Sequence, residues 1–115
     1  MENILIKIRW NINFIKEEAE KVDGSSDIKE EIIDICNAFV GVISKCFEVG
    51  ADKEKAREIM KPLLLDFDKI IERTEGDTEN KALYMLLITH VADIHFLLAS
   101  EEKQKEIISQ KNEKR

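Results

Sequence analysis

From Ile4 to Phe14 the chain alternates, with Ile4, Ile6, Ile8, Trp10, Ile12 and Phe14 apolar and mostly polar residues between them. A period of two fits a half-buried strand. Ile4, Ile8, Ile12, Ile15, Ala19 and Val22, however, step by four or three, which is the period of a helix. No other stretch offers a partner strand, and a lone strand leaves its backbone groups unpaired. The helical stripe also runs past Phe14 to Val22, so residues 2–22 are predicted as helix. The alternation then acquires a second meaning. Ile6, Trp10 and Phe14 form a second apolar stripe turned away from the first, and a helix with two apolar faces needs two neighbours. The second neighbour is either another helix of this chain or a second subunit.

Asp23, Gly24, Ser25 and Ser26 interrupt the pattern, and Asp27 followed by Glu30 has the logic of a capping box. A second helix follows, with the stripe Ile28, Ile32, Ile35, Cys36, Phe39, Ile43 and Cys46, and Gly50 fits its C-terminal stop. Asp52 can cap a third helix carrying Ala56, Ile59, Met60, Leu63, Phe67, Ile70 and Ile71. Pro62 falls inside that stripe, which keeps phase across it, so a bent single helix is expected, ending at Gly76. Asp77 or Thr78 starts a fourth helix that is apolar nearly all round from Ala82 to Ala99, as in a central helix or one buried by oligomerisation. Ser100 can recap a last, short helix whose only apolar pair is Ile107 and Ile108. The expected architecture is an all-α antiparallel four-helix bundle. Residues 1–100 form its single domain, and residues 101–115 a charged C-terminal helix or tail.

Composition narrows the classes. The 115 residues are 43% hydrophobic and 37% charged with one Pro, too apolar for disorder and too poor in turn residues for an all-β fold. A net charge of −6 repels phosphate backbones, so no nucleic-acid partner is expected. The basic residues Lys111, Lys114 and Arg115 read as a frayed solubilising tail. Ala82–Ala99 approaches membrane length but holds Asp93, which would cost about 3 kcal/mol at bilayer depth; a buried core helix is expected instead, and no membrane partner. Cys36 and Cys46, ten residues apart on one helix, sit about 15 Å apart and cannot bond each other. Two reduced core thiols, with no signal-peptide pattern at the N-terminus, suit a cytoplasmic protein.

The candidate chemistry is a group of carboxylates. Glu17 and Glu20 share a face at the end of the first helix, as do Glu31 and Asp34 early in the second. In an antiparallel hairpin, Glu17 with Asp34 and Glu20 with Glu31 have the same index sum and therefore lie at matching heights. Clustered carboxylates repel unless a hard cation joins them, and Mg²⁺ takes such ligands together with substrate phosphates. The stretches EEAE (Glu17–Glu20) and EIID (Glu31–Asp34) resemble the ExxE and ExxD signature of the all-α nucleoside triphosphate pyrophosphohydrolases, the MazG-like superfamily. The connection FEVGADKEKA, residues 47–56, is also similar, and the resemblance spans roughly residues 10–60. It implies a homo-oligomer, a dimer or higher, that uses Mg²⁺ to cleave nucleoside triphosphates to monophosphate and pyrophosphate. Glu17, Glu20, Glu31 and Asp34 would then be the metal ligands. Lys53 and Arg57, early in the third helix, are the candidate phosphate contacts.

A second reading gives the same residues a plainer role. The acids are then solvated faces, and the chain is a non-catalytic oligomerisation or partner-binding module acting through Ile6, Trp10, Phe14 and the apolar fourth helix. His90 and Asp93, three residues apart, and His95, about 140° further round than His90, read as polar anchors rather than metal ligands. Zinc is poorly supported without a third histidine or a nearby cysteine.

Overall fold

The computed structural model describes residues 1–23 and 25–113; Gly24 of the predicted break, and Lys114 and Arg115 of the predicted tail, lie outside the described residues. It is all-helical, with α1 (Glu2–Lys21), α2 (Ser26–Val49), α3 (Lys53–Thr74), α4 (Lys81–Leu98) and α5 (Glu101–Glu113). No strand occurs among the described residues.

Each of the first four helices packs against two others, α1 on α2 and α4, and α3 on α2 and α4, an arrangement consistent with a helical bundle. The buried stripes follow the sequence periodicity. Leu5, Ile8, Ile12, Ile15 and Ala19 come from α1, and Ile28, Ile32, Cys36, Phe39, Ile43 and Cys46 from α2. Ala56, Met60, Leu64, Phe67 and Ile70 come from α3. Phe39 and Phe67 stack at 5.7 Å between ring centroids, joining α2 to α3 in the middle of the core. Pro62 is accommodated within a single continuous α3.

Polar contacts link the helix ends. Asn80, buried in the turn before α4, accepts from the backbone N–H of Ser25 at 2.8 Å and donates through Nδ2 to Asp77 Oδ2 at 2.8 Å. The α1–α2 and α3–α4 connections therefore meet at one end of the molecule. At the other end, Lys53 Nζ donates to Ala99 O at 3.0 Å, and Arg57 donates to Leu98 O through Nε at 3.0 Å and Nη2 at 2.8 Å. These cations satisfy carbonyls left orphaned at the C-terminus of α4, where the helix dipole is negative.

The termini correct some expectations. Gly50 adopts the left-handed conformation at φ 62° that ends α2, and Asp52 Oδ1 accepts from the N–H of Lys55 at 2.8 Å, both as predicted. The N-cap of α2, however, is Ser25, with no side-chain capping bond, so Asp27 sits in the first turn rather than before it. Helix α4 begins at Lys81, later than Asp77 or Thr78. Asp77 instead holds the turn, accepting from the N–H of Glu79 at 3.1 Å and from Asn80.

Helix α4 departs from the central placement, one of the two expected for it. By length and composition it could cross a membrane, with mean hydropathy 1.4, yet only 28% of that 18-residue span is buried. Leu83, Leu87, Val91, Ile94 and Leu98 enter the core, while Met85, Thr89, Ala92 and Asp93 stay exposed. The helix sits in the wall of the molecule, not at its centre. An apolar composition fixes how much surface a helix can bury, but the number of neighbours fixes how much it does bury.

Candidate functional site

Three regions carry exposed chemistry: the outer face of α1, the cleft between α2 and α3, and the junction of α3 with α4. On α1 the core stripe leaves Ile6 and Trp10 on the opposite side, 49% and 61% exposed. Trp10 stacks on half-buried Phe14 at 5.4 Å and 19° between planes, and Phe14 lies 4.5 Å from the imidazole of His90 on α4. Trp10 and His90 are themselves 6.4 Å apart. The three rings form one aromatic surface across α1 and α4.

Its orientation is set by a polar pair of buried Asn11 and half-buried His90. Asn11 occupies the core stripe of α1 and is 5% exposed. Its Nδ2 donates to Lys7 O at 3.0 Å, so its Oδ1 is left to accept from His90 Nδ1, also 3.0 Å away. That pairing places the proton on Nδ1 and fixes the ring plane against Phe14. The signal for this pair was a polar residue interrupting an apolar stripe. Spacing alone could not match it with a histidine 79 positions away.

The carboxylates are placed differently. Glu31 forms a two-point ion pair with Arg73 of α3, Oε1 accepting from Nη1 at 3.1 Å while Oε2 lies 3.0 Å from Nη2. The hydrogen bond from Arg73 to Glu31, and then the charge of Glu31, raise the Arg73 pKa above its ordinary value. Glu31 and Asp34 line a cleft with Asp66, Lys69 and Arg73, so this face of α2 looks toward α3. The side of α2 nearest α1 is marked instead by Cys36, whose thiol feels the charge of Lys16. Glu17 and Glu20 are exposed on α1. Among the described residues, no group of three or more His, Cys, Asp or Glu side chains is arranged to hold a metal ion. Glu31 is thus paired with Arg73 and shares the α2–α3 cleft with Asp34, while Glu17 and Glu20 lie on α1.

Lys53 and Arg57 lie far from these acids. Arg57 and Arg73 are sixteen positions apart on α3, about 24 Å along the axis. The two cations join α4 to α3, while the Glu31 cleft opens near the other end. His95 Nε2 stands 3.5 Å from Asp68 Oδ1, a further link between α4 and α3. Asp93 makes no hydrogen bond with His90 among the described contacts.

The thiols are separate and free. Burial pushes the Cys36 pKa up to about 12, against a smaller lowering by Lys16, and raises that of Cys46. Neither has the depressed pKa of a reactive cysteine. Compared with known proteins, the chain matches no family profile, no curated protein and no solved structure.

Proposed function

We propose that this chain is a non-catalytic helical self-association module, in which a second copy docks on the outer face of α1. The observation that carries the reading is Trp10, 61% exposed yet held in a fixed stack with Phe14 over His90. Tryptophan in a rigid aromatic setting is a typical interface anchor, because little side-chain entropy remains to be lost on docking.

A second copy is favoured by the distribution of charge along α1. Lys7 and Arg9 outweigh Glu2 in its first half, and Glu17, Glu18 and Glu20 outweigh Lys16 and Lys21 in its second, a small excess of one charge of opposite sign in each half. Antiparallel docking of two α1 helices opposes these halves twice by symmetry and lays each Trp10 near Phe14 of the other copy. The framework that presents the face is an antiparallel four-helix bundle, α1 to α4, supported by connections that meet at alternate ends. The buried, unpaired thiols favour a reducing compartment such as the cytoplasm. Sedimentation of the wild type and of Trp10→Lys tests the reading: association is expected in the first and its loss in the second.

A Mg²⁺-dependent nucleoside triphosphate pyrophosphohydrolase of MazG-like type is the second reading. It is supported by the cleft that gathers Glu31, Asp34 and Asp66 beside Lys69 and Arg73. Carboxylates and cations in one cleft are the residue types that nucleotide phosphates require. Its test is pyrophosphate release from a panel of nucleoside triphosphates with Mg²⁺, Mn²⁺ or EDTA. Metal-dependent release abolished by Glu31→Gln supports it, and no release from any nucleotide removes it.

A further inference from the structure

Beyond self-association, a second surface has the character of a small-molecule site. Helix α5 leaves α4 through Ala99 and Ser100, with Ser100 Oγ capping it by accepting from the N–H of Lys103 at 3.2 Å. Gln104 Nε2 donates to Phe96 O at 2.7 Å, tying the first turn of α5 to the last turn of α4. Between α5 and the α3–α4 wall lies a groove of about 960 Å³. That is within the range of about 300–1,000 Å³ usual for ligand sites.

The walls of the groove are mainly apolar, with Leu64 and Phe96 on one side and Ile107 and Ile108 on the other. Its charged residues include Arg57, Lys103 and Lys111, opposed by Asp93 alone among acids. In a chain of net charge −6, these three cations outnumber Asp93 and the Glu106 that pairs with Lys103, so the groove is locally positive. Apolar walls with a cationic lining suit a ligand with a hydrocarbon tail and an anionic head.

Arg57 specifies the head more closely. It uses Nε and Nη2 on Leu98 O, which locks the guanidinium plane at the mouth of the α4–α5 turn. Nη1 is not used in that contact, so a planar fork of N–H groups remains on the outer edge. A carboxylate matches such a fork with two parallel hydrogen bonds. Lys103 currently pairs with Glu106 at 3.6 Å in a solvent-exposed contact, which a ligand carboxylate can replace at little cost. From Arg57 to Leu64 the wall of α3 runs seven positions, about 10 Å, the room available to the tail.

We infer that the α3–α4–α5 groove binds a medium-chain alkyl carboxylate, its head on Arg57 and Lys103 and its tail between Phe96 and Ile107. The test is titration of the full chain with decanoate below its micellar range, followed by calorimetry and by amide shifts in nitrogen-15 spectra. Saturable binding is expected, with shifts concentrated at residues 57–64, 92–99 and 101–111. Lys103→Glu with Lys111→Glu should weaken it at least tenfold while helicity is unchanged, and Ile107→Asp should weaken it independently through the tail. Equal binding of decyltrimethylammonium, or equal binding of acetate, would overturn the inference, because the first carries the opposite charge and the second lacks the tail. Decyl phosphate binding tenfold more tightly than decanoate would overturn the choice of head group. Shifts confined to the Trp10 face would place the ligand elsewhere and also defeat it.

Discussion

Replacing Trp10 by lysine tests the α1 face most directly, and the structure sets the expected size. An aromatic side chain carries about 150–250 Å² of surface. At 61% exposure, Trp10 leaves roughly 90–150 Å² to be covered by a second copy. At about 25 cal/mol per Å², that is about 2–4 kcal/mol per copy, or about 5–8 kcal/mol for a symmetric pair. Docking costs and incomplete coverage reduce the sum, and half of it is a reasonable residue. A loss of about 2–4 kcal/mol raises Kd by roughly 30- to 700-fold. The monomer should change little, because Trp10 contributes to its fold mainly through the 5.4 Å stack on Phe14, about 0.5–1.5 kcal/mol. Sedimentation equilibrium over a concentration series reads the first effect, and thermal melting followed by circular dichroism reads the second. A wild-type chain that stays monomeric throughout, or a Trp10→Lys chain that associates equally well, would refute the reasoning.

Other expectations concern the framework. Phe39→Ala removes a side chain with no exposure from the stack with Phe67; it should destabilise the fold by about 3–5 kcal/mol in denaturant titration, and a loss below 1 kcal/mol would mean the core closes over the gap. Asp52→Ala deletes the bond to the N–H of Lys55 and should cost about 0.5–2 kcal/mol, read in the same assay, with Asp52→Asn recovering most of it. Cys36 is a thiol whose pKa rises from 9.0 to about 12 on folding. Its stabilising contribution is therefore complete below pH 9 and declines as pH rises from about 9 towards 12, with a limiting slope of about 1.4 kcal/mol per pH unit. Denaturant titrations across that range should show the decline diminished in Cys36→Ala. Near neutral pH both thiols should resist a disulfide reagent in the native chain and react after unfolding.

The sequence by itself determined the helices and their inward faces. Strict three-and-four spacing of Ile8, Ile12, Ile15 and Ala19 on α1, and of Ile28, Ile32, Cys36, Phe39 and Ile43 on α2, leaves one way to bury them. Gly50 and Asp52 marked their boundaries because a left-handed stop and a side-chain cap are local requirements. The exposed stripe of Ile6 and Trp10 was legible for the same reason: on α1 it lies opposite the core, whatever packs there.

What only the tertiary structure decided was which neighbour each flank meets. Index sums place residues at equal heights on a hairpin but say nothing of azimuth. Glu31 and Asp34 therefore turn toward α3 and Arg73, while Glu17 and Glu20 remain on exposed positions of α1. Lys53 and Arg57 looked free in the sequence, yet they serve the carbonyls of Leu98 and Ala99, more than forty positions away. Helix α4 could have been central by composition, but with α1 on one flank and α3 on the other its outer side is left open. Periodicity belongs to one helix and is written in its own residues. Partnership belongs to two, and only their packing reveals it.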